Sequence, residues 1–223
     1  MTANMSSVVT FIGWHDSGKT TLVKQVVAEL RKLGYRVAVI KSSNDSGIQF
    51  DTPGTDTSLH KAAGAESVML VAPDQMVLQT RNVGLSLRTL AHRYFPDVDI
   101  VIGEGFKTAK KIAKIEVFRN RDQKLRDEVQ GVIAIATNLK GVEGNYVFGL
   151  DEAEHIALFI EKRFITRKSG RENTILLVNG NKVPIKDYIQ DVLAGTVHGF
   201  VKTLKLDKDI TEIELRIKID AER

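Results

Sequence analysis

Apolar positions along this chain switch between a strand-like and a helix-like period, and the switches predict its elements. Val8–Ile12 is a short, apolar, β-branched run and predicts a buried strand. From Thr20 the period becomes helical. Leu22, Val23, Val26, Val27, Leu30 and Leu33 share one face, and Gly34 follows where a C-terminal cap belongs. Arg36–Ile40 predicts a second buried strand. The polar loop from Lys41 to Asp56, with Gly47, Pro53 and Gly54, is long for a compact domain. Such loops are usually functional or disordered. A short helix over Thr57–Ala63 follows, then two short strands, Ser67–Val71 and Met76–Thr80, with Pro73-Asp74 turning between them.

The second half repeats the alternation. Gly84–Tyr94 predicts a helix with Pro96 just beyond its end, and Ile100–Ile102 a buried strand running into Gly103-Glu104-Gly105. Ile112–Phe118 and Val132–Ala136 predict further strands, and Asp151–Phe164 an amphipathic helix with Ile156, Phe159, Ile160 and Phe164 in phase. Strands alternating with helices predict an α/β fold with a mostly parallel sheet and helices on both faces. At Thr166–Arg171 the chain turns polar and basic. That shift divides it into a main domain (1–166), a linker (167–172) and a small α+β unit (173–223). Within the small unit, Thr174–Val178 and the turn signal Asn179-Gly180 predict a hairpin. Ile185, Tyr188, Ile189, Val192 and Leu193 form one helical face, and Val197, Phe200, Val201 and Leu204 another. Strict alternation of Ile213, Leu215, Ile217 and Ile219 with charged residues predicts a half-buried strand. So small a unit has a marginal core alone, so it is expected to pack on the main domain or on a second subunit.

Chemistry concentrates after the first strand. Gly13-Trp14-His15-Asp16-Ser17-Gly18-Lys19-Thr20 matches the phosphate-binding pattern G-x-x-x-x-G-K-S/T in full, between a strand and a helix. The fold class is therefore a P-loop NTPase-type α/β sheet. Gly13 and Gly18 let the backbone approach a polyphosphate, and the helix N-terminus adds a positive dipole end. Lys19 is expected to reach the β- and γ-phosphates, and the Thr20 hydroxyl to ligate Mg²⁺. Glu104 ends a strand on the side where a second carboxylate belongs, and is the expected direct or water-mediated Mg²⁺ partner. Lys41, Asp51 and Asp56 of the long loop are candidates near the γ-phosphate. Lys107 leads a cluster with Lys110, Lys111 and Lys114 that suits an anionic second substrate or a solvated face. Trp14 could cover the phosphates or simply pack. Thr21 closes the motif, and Asn138 ends a late strand, where such proteins often hold the base. No Asn-Lys-x-Asp element occurs, so the residues alone do not choose guanine over adenine.

Composition sets the remaining bounds. The chain has 43% hydrophobic residues, no cysteine and a net charge of +4 from 32 basic and 28 acidic side chains. Disulfides and thiolate metal sites are excluded. The five histidines lack metal-ligand spacing, and no basic stripe interleaved with aromatics marks a nucleic-acid partner. No apolar run has the length of a membrane span and no signal peptide is evident, which suits the cytoplasm.

In order, these landmarks resemble the molybdopterin-guanine dinucleotide biosynthesis protein B (MobB) family. The resemblance rests on Gly13–Thr21, Val39-Ile40-Lys41, Asp51-Thr52-Pro53-Gly54-Thr55-Asp56-Thr57 and Lys61-Ala62-Ala63-Gly64-Ala65. It continues through Glu104-Gly105-Phe106-Lys107, Lys114-Ile115 and Ala134–Asn138. It implies a GTP-binding protein with at most weak Mg²⁺-dependent GTPase activity, usually dimeric. Such a protein assists the guanylyltransferase that joins GMP to molybdopterin, and molybdopterin itself is a possible bound substrate. Catalytic roles fall to Lys19 and Glu104. Slow turnover is expected because no base or arginine finger is evident. A small-molecule kinase and a nucleotide-switched adaptor remain the alternatives. Two departures stand out: Ser42-Ser43-Asn44-Asp45 replaces the histidines the family places after Lys41, and Asn138 offers guanine one carbonyl acceptor without charge.

Overall fold

The computed structural model describes residues 7–165, 174–179, 181–204, 209–210 and 212–217. They fall into two compact units, one built from 7–165 and one from 174–217. The expected linker, 167–172, lies outside the described residues, as does Gly180 of the expected hairpin turn.

In the larger unit, β1 (Ser7–Ile12), β2 (Val37–Lys41), β5 (Ile100–Glu104), β6 (Ala113–Val117), β7 (Val132–Ala136) and β8 (Val147–Phe148) form a six-stranded sheet. Its order is β2-β5-β1-β6-β7-β8, and every pairing is parallel. Alternate residues of each strand face opposite sides. Val9, Phe11, Ile100 and Ile102 pack with Leu22, Val26 and Leu30 of α1 (Lys19–Lys32) and with Ile156 and Ile160 of α4 (Ala153–Ile160). Val8 and Val101 face the other way, toward Leu87 and Ala91 of α3 (Leu87–Tyr94). Helices therefore cover both faces, as the alternation predicts. A short α2 (Asp56–Ala62) and an antiparallel hairpin, β3 (Ser67–Val71) with β4 (Met76–Thr80), stand apart from the sheet.

Differences from the sequence reading have local causes. The helix expected from Gly84 begins at Leu87, because Ser86 caps it by accepting the Thr89 N–H at 3.1 Å. The third sheet strand runs on to Glu104, so the expected Mg²⁺ partner belongs to β5 rather than to the turn beyond it. The helix expected over Asp151–Phe164 is α-helical only to Ile160 and widens to π geometry over Glu161–Ile165. β8 was not expected, since two residues carry no readable period.

The smaller unit holds an antiparallel hairpin, β9 (Leu176–Val178) with β10 (Asn181–Val183), and one helix, α5 (Asp187–Lys202). Of the two helical faces expected there, Tyr188, Ile189, Val192 and Leu193 and then Val197, Phe200 and Val201 belong to this single helix, while Ile185 precedes it and Leu204 follows it. Residues 212–217 are not a strand. Alternation specifies a strand only where a neighbour covers its apolar face, and Leu215 and Ile217 are exposed. Among the described residues no helix is long and apolar enough to cross a membrane.

Gly103 is the tightest point of the sheet outside the motif. A Cβ there would lie 2.6 Å from Thr10 Oγ1 and 2.7 Å from Leu87 Cδ2. Gly103→Ala is therefore expected to destabilise the larger unit by about 1–3 kcal/mol in urea unfolding. An unchanged midpoint would show that α3 yields without cost.

Candidate functional site

β1 carries the chain into the cradle. A Cβ at Gly13 would sit 2.2 Å from the Val117 carbonyl oxygen of β6 and 2.7 Å from Ser17 Oγ, so only glycine fits. Gly18 adopts φ 91 and forms the N-cap of α1 with no side-chain cap. Asp16 also takes a positive φ, 57, which aspartate tolerates better than most residues. The Ser17 N–H donates to the Trp14 carbonyl at 3.3 Å. Among the described residues, no protein acceptor takes the amide N–H groups of Asp16, Gly18, Lys19 or Thr20. Orphan donors at a positive helix end, on a glycine-built loop, suit an anion.

The side chains follow from sheet order. β5 lies between β1 and β2, with Phe11 and Lys41 both in register with Glu104. The Glu104 carboxylate thus emerges between the cradle and β2, only 6% exposed. Its Oε1 accepts the Thr20 hydroxyl at 2.5 Å and lies 3.4 Å from Lys41 Nζ. Asp99, just before β5 at the opposite end, instead accepts the Arg36 N–H at 2.7 Å. Thr20 Oγ1 and Glu104 Oε1 are hard oxygen donors side by side, which suits Mg²⁺. Among the described residues no group of three or more His, Cys, Asp or Glu could hold a metal. An ion here would draw its other ligands from phosphate and water, as Mg²⁺ commonly does.

Lys19 folds back over the loop. Its Nζ donates to the Trp14 carbonyl and, at 3.2 Å, to Ser17 Oγ. Partial burial lowers its pKa; the Glu104 carboxylate opposes that shift, while Lys107 and Lys41 reinforce it. Lys107 Nζ stands 4.3 Å from the centroid of the half-exposed Trp14 ring. His15 and Asp16 pair at 2.8 Å at the exposed loop tip.

Other expected residues are not gathered here. Asp51 accepts the Thr55 hydroxyl at 2.8 Å and the Thr57 hydroxyl at 2.5 Å, and these bonds lower its pKa. It organises its own loop and the start of α2. Asp56 is the first residue of α2, and among the described residues no hydrogen bond or ion pair joins either aspartate to the cradle. The lysine cluster also splits. Lys114 is buried, donating to the carbonyls of Ala109 at 2.6 Å and Gln130 at 2.7 Å, so it holds backbone rather than ligand.

Sequence reasoning missed Arg119. It follows β6, the strand on the other side of β1, and a Cβ at Gly18 would lie 3.0 Å from its Nη2 and 3.2 Å from its Nε. A guanidinium therefore lies against the last glycine of the cradle. Beside it opens a cavity of about 470 Å³, bounded by Thr21 and Gln25 of α1, Arg119, Asn138, Leu150 and Asp151. Asn138, the residue expected near a base, is among those that line it. Its Oδ1 accepts the Leu150 N–H at 2.7 Å, which uses one of its two lone pairs and leaves both amide hydrogens without a protein acceptor among the described residues. A hollow of about 520 Å³ lined by Val132, Tyr146 and Arg163 lies at the far end of β7 and includes no cradle residue.

Residues 8–138 match the family described as "Molybdopterin guanine dinucleotide synthesis protein B". The "Molybdopterin-guanine dinucleotide biosynthesis adapter protein" of Haemophilus influenzae is 32% identical over 71% of this chain and 89% of its own length. A putative adapter protein of the same description from Methanocaldococcus jannaschii is 25% identical over 97% of this chain and 98% of its own, so that likeness extends into the smaller unit. The crystal structure of a molybdopterin-guanine biosynthesis protein B superposes with a TM-score of 0.57 at 30% identity, covering 70% of this chain and 98% of that one.

The lowered pKa of Lys19 gives the cradle a pH signature. A polyphosphate at the cradle would bind the protonated amine, so its affinity would be full below the free-protein pKa of Lys19 and fall as pH rises through it. Tripolyphosphate affinity, followed by calorimetry, is expected to begin falling on the acid side of the ordinary lysine value of about 10.4. Lys19→Arg should remove that early fall, since its guanidinium stays charged. Identical profiles for the two proteins would contradict the assignment.

Proposed function

This chain belongs to the molybdopterin guanine dinucleotide synthesis protein B family, and on that membership and the cradle's geometry we propose that it is a GTP-binding accessory protein. It acts in synthesis of the guanine dinucleotide form of the molybdenum cofactor, beside the guanylyltransferase that joins GMP to molybdopterin. The observation that carries this reading is the set of unsatisfied amide donors at the N-terminus of α1. Those donors, with Lys19 released from the Trp14 carbonyl, bind the β- and γ-phosphates. Thr20 and Glu104 would hold Mg²⁺, which when bound neutralises phosphate charge. Arg119 adds a cation against Gly18 from within the same chain. Among the described residues none at the cradle is placed as a general base: the Glu104 carboxylate is engaged by Thr20 and Lys41. Hydrolysis is accordingly slow, and binding rather than turnover is the working event. That favours an accessory role over a small-molecule kinase.

The same reading makes the protein a homodimer. The β3–β4 hairpin exposes Met69, Leu70, Val71, Met76 and Val77, and a two-stranded hairpin is marginal alone in water.

Lys19→Ala is expected to lower GTP affinity by about tenfold or more, the worth of a charge-assisted bond to phosphate, while leaving the melting temperature unchanged. Glu104→Gln should shift the midpoint of a magnesium titration of GTP binding to higher concentration. In a reconstituted assay the wild-type protein should raise the yield of dinucleotide from the guanylyltransferase. An unchanged yield would contradict the accessory role.

A further inference from the structure

The cavity beside the cradle contains two opposite charges that do not meet. Arg119 and Asp151 both line it, yet among the described residues neither takes part in an ion pair or side-chain hydrogen bond. Both residues are exposed, so each keeps its hydrogen-bonding capacity open to a ligand. The neighbouring carboxylate is already committed: Glu152 accepts the Gly149 N–H at 2.5 Å and lies 3.1 Å from His155 Nδ1. Gly149 makes room for the free one, since a Cβ there would lie 2.5 Å from Asp151 Oδ1. Leu139 and Leu150 add apolar surface to this open groove.

Resting on the GTP reading above, we infer that this cavity is the base subsite and that Asp151 is the residue that selects guanine. The functional groups match in kind. A carboxylate only accepts, and guanine presents two parallel donors, N1–H and the 2-amino group. Adenine presents an acceptor at N1, which a carboxylate repels. Asn138 complements this edge: the Leu150 N–H identifies Oδ1 as the side toward the backbone, and the Nδ2 hydrogens are donors that suit the guanine O6. Selectivity thus comes from the segment between β8 and α4, about a dozen residues beyond the strand end where sequence reasoning looked. Arg119 stands at the junction of cavity and cradle, where base and phosphates join through the ribose.

The test is Asp151→Asn in the full chain. An asparagine offers one acceptor and one donor, which matches xanthine, whose second carbonyl replaces the 2-amino group. Magnesium complexes of GTP, ITP, XTP and ATP are titrated calorimetrically against wild type, Asp151→Asn and Lys19→Ala, with tripolyphosphate as the base-free control. Wild type should prefer GTP over ITP and reject XTP and ATP. Asp151→Asn should lose about tenfold or more in GTP affinity, gain XTP affinity and bind tripolyphosphate as before. Equal weakening toward all four nucleotides, or no change toward any, overturns the assignment of Asp151. If Lys19→Ala still lowers GTP affinity about tenfold or more in that case, the functional reading stands without it. If wild type binds tripolyphosphate but shows no preference among the nucleotides, the cavity is not a base subsite.

Discussion

A helix that begins without a cap sets the terms for this molecule. α1 starts at Lys19, its N-cap Gly18 has a left-handed backbone and no side chain, and among the described residues no protein acceptor meets the amides of Gly18, Lys19 and Thr20. Unsatisfied amides at a helix start are costly unless water or an anion meets them. The chain keeps this deficit in place with buried structure on either side. Ile12 is fully buried before the loop, Ser17 is fully buried within it, and Leu22 and Val23 anchor the helix behind it. The cradle is thus held rigid while its donors stay open.

Sheet order decides what surrounds the cradle. Because β1 is flanked by β5 and β6, residues at the C-terminal ends of both neighbours arrive at one loop. β5 brings Glu104 and, through the Phe106 turn beyond it, Lys107; β6 leads to Arg119. One side therefore supplies an oxygen donor beside Thr20, and the other a guanidinium against Gly18. Lys19 donates to the Trp14 carbonyl, Lys41 pairs with Glu104 and Lys107 lies over the Trp14 ring. Each cation has a weak internal partner that a polyphosphate would outcompete.

Much of this was legible in the sequence because it is local. The β1–loop–α1 unit has a motif of fixed spacing, an apolar strand before it and a helical period after it. Glu104 was legible because it ends an apolar run, and strand direction then fixes its side of the sheet. What the sequence could not show depends on neighbours far apart in the chain. Nothing at Phe118-Arg119 signals that β6 adjoins β1. Nothing at Gly149–Asp151 signals that β8 extends the sheet and brings that segment to Asn138. Lys114 read as one of a surface cluster, yet burial among carbonyls makes it a structural tie. Asp51 read as a phosphate-side residue, but Thr55 and Thr57 claim its oxygens. Alternation at Ile213–Ile219 looked like a strand because periodicity records which face is apolar without recording whether anything covers it.

The central claim is that the open amides of α1 receive a nucleotide's polyphosphate. A crystal structure of the full chain grown with magnesium and a non-hydrolysable GTP analogue addresses it most directly. The account predicts a phosphate within hydrogen-bond distance of the Gly18, Lys19 and Thr20 amides, with Lys19 Nζ turned from the Trp14 carbonyl onto a phosphate oxygen. Density for the analogue elsewhere, with Lys19 still folded onto Trp14, would contradict it.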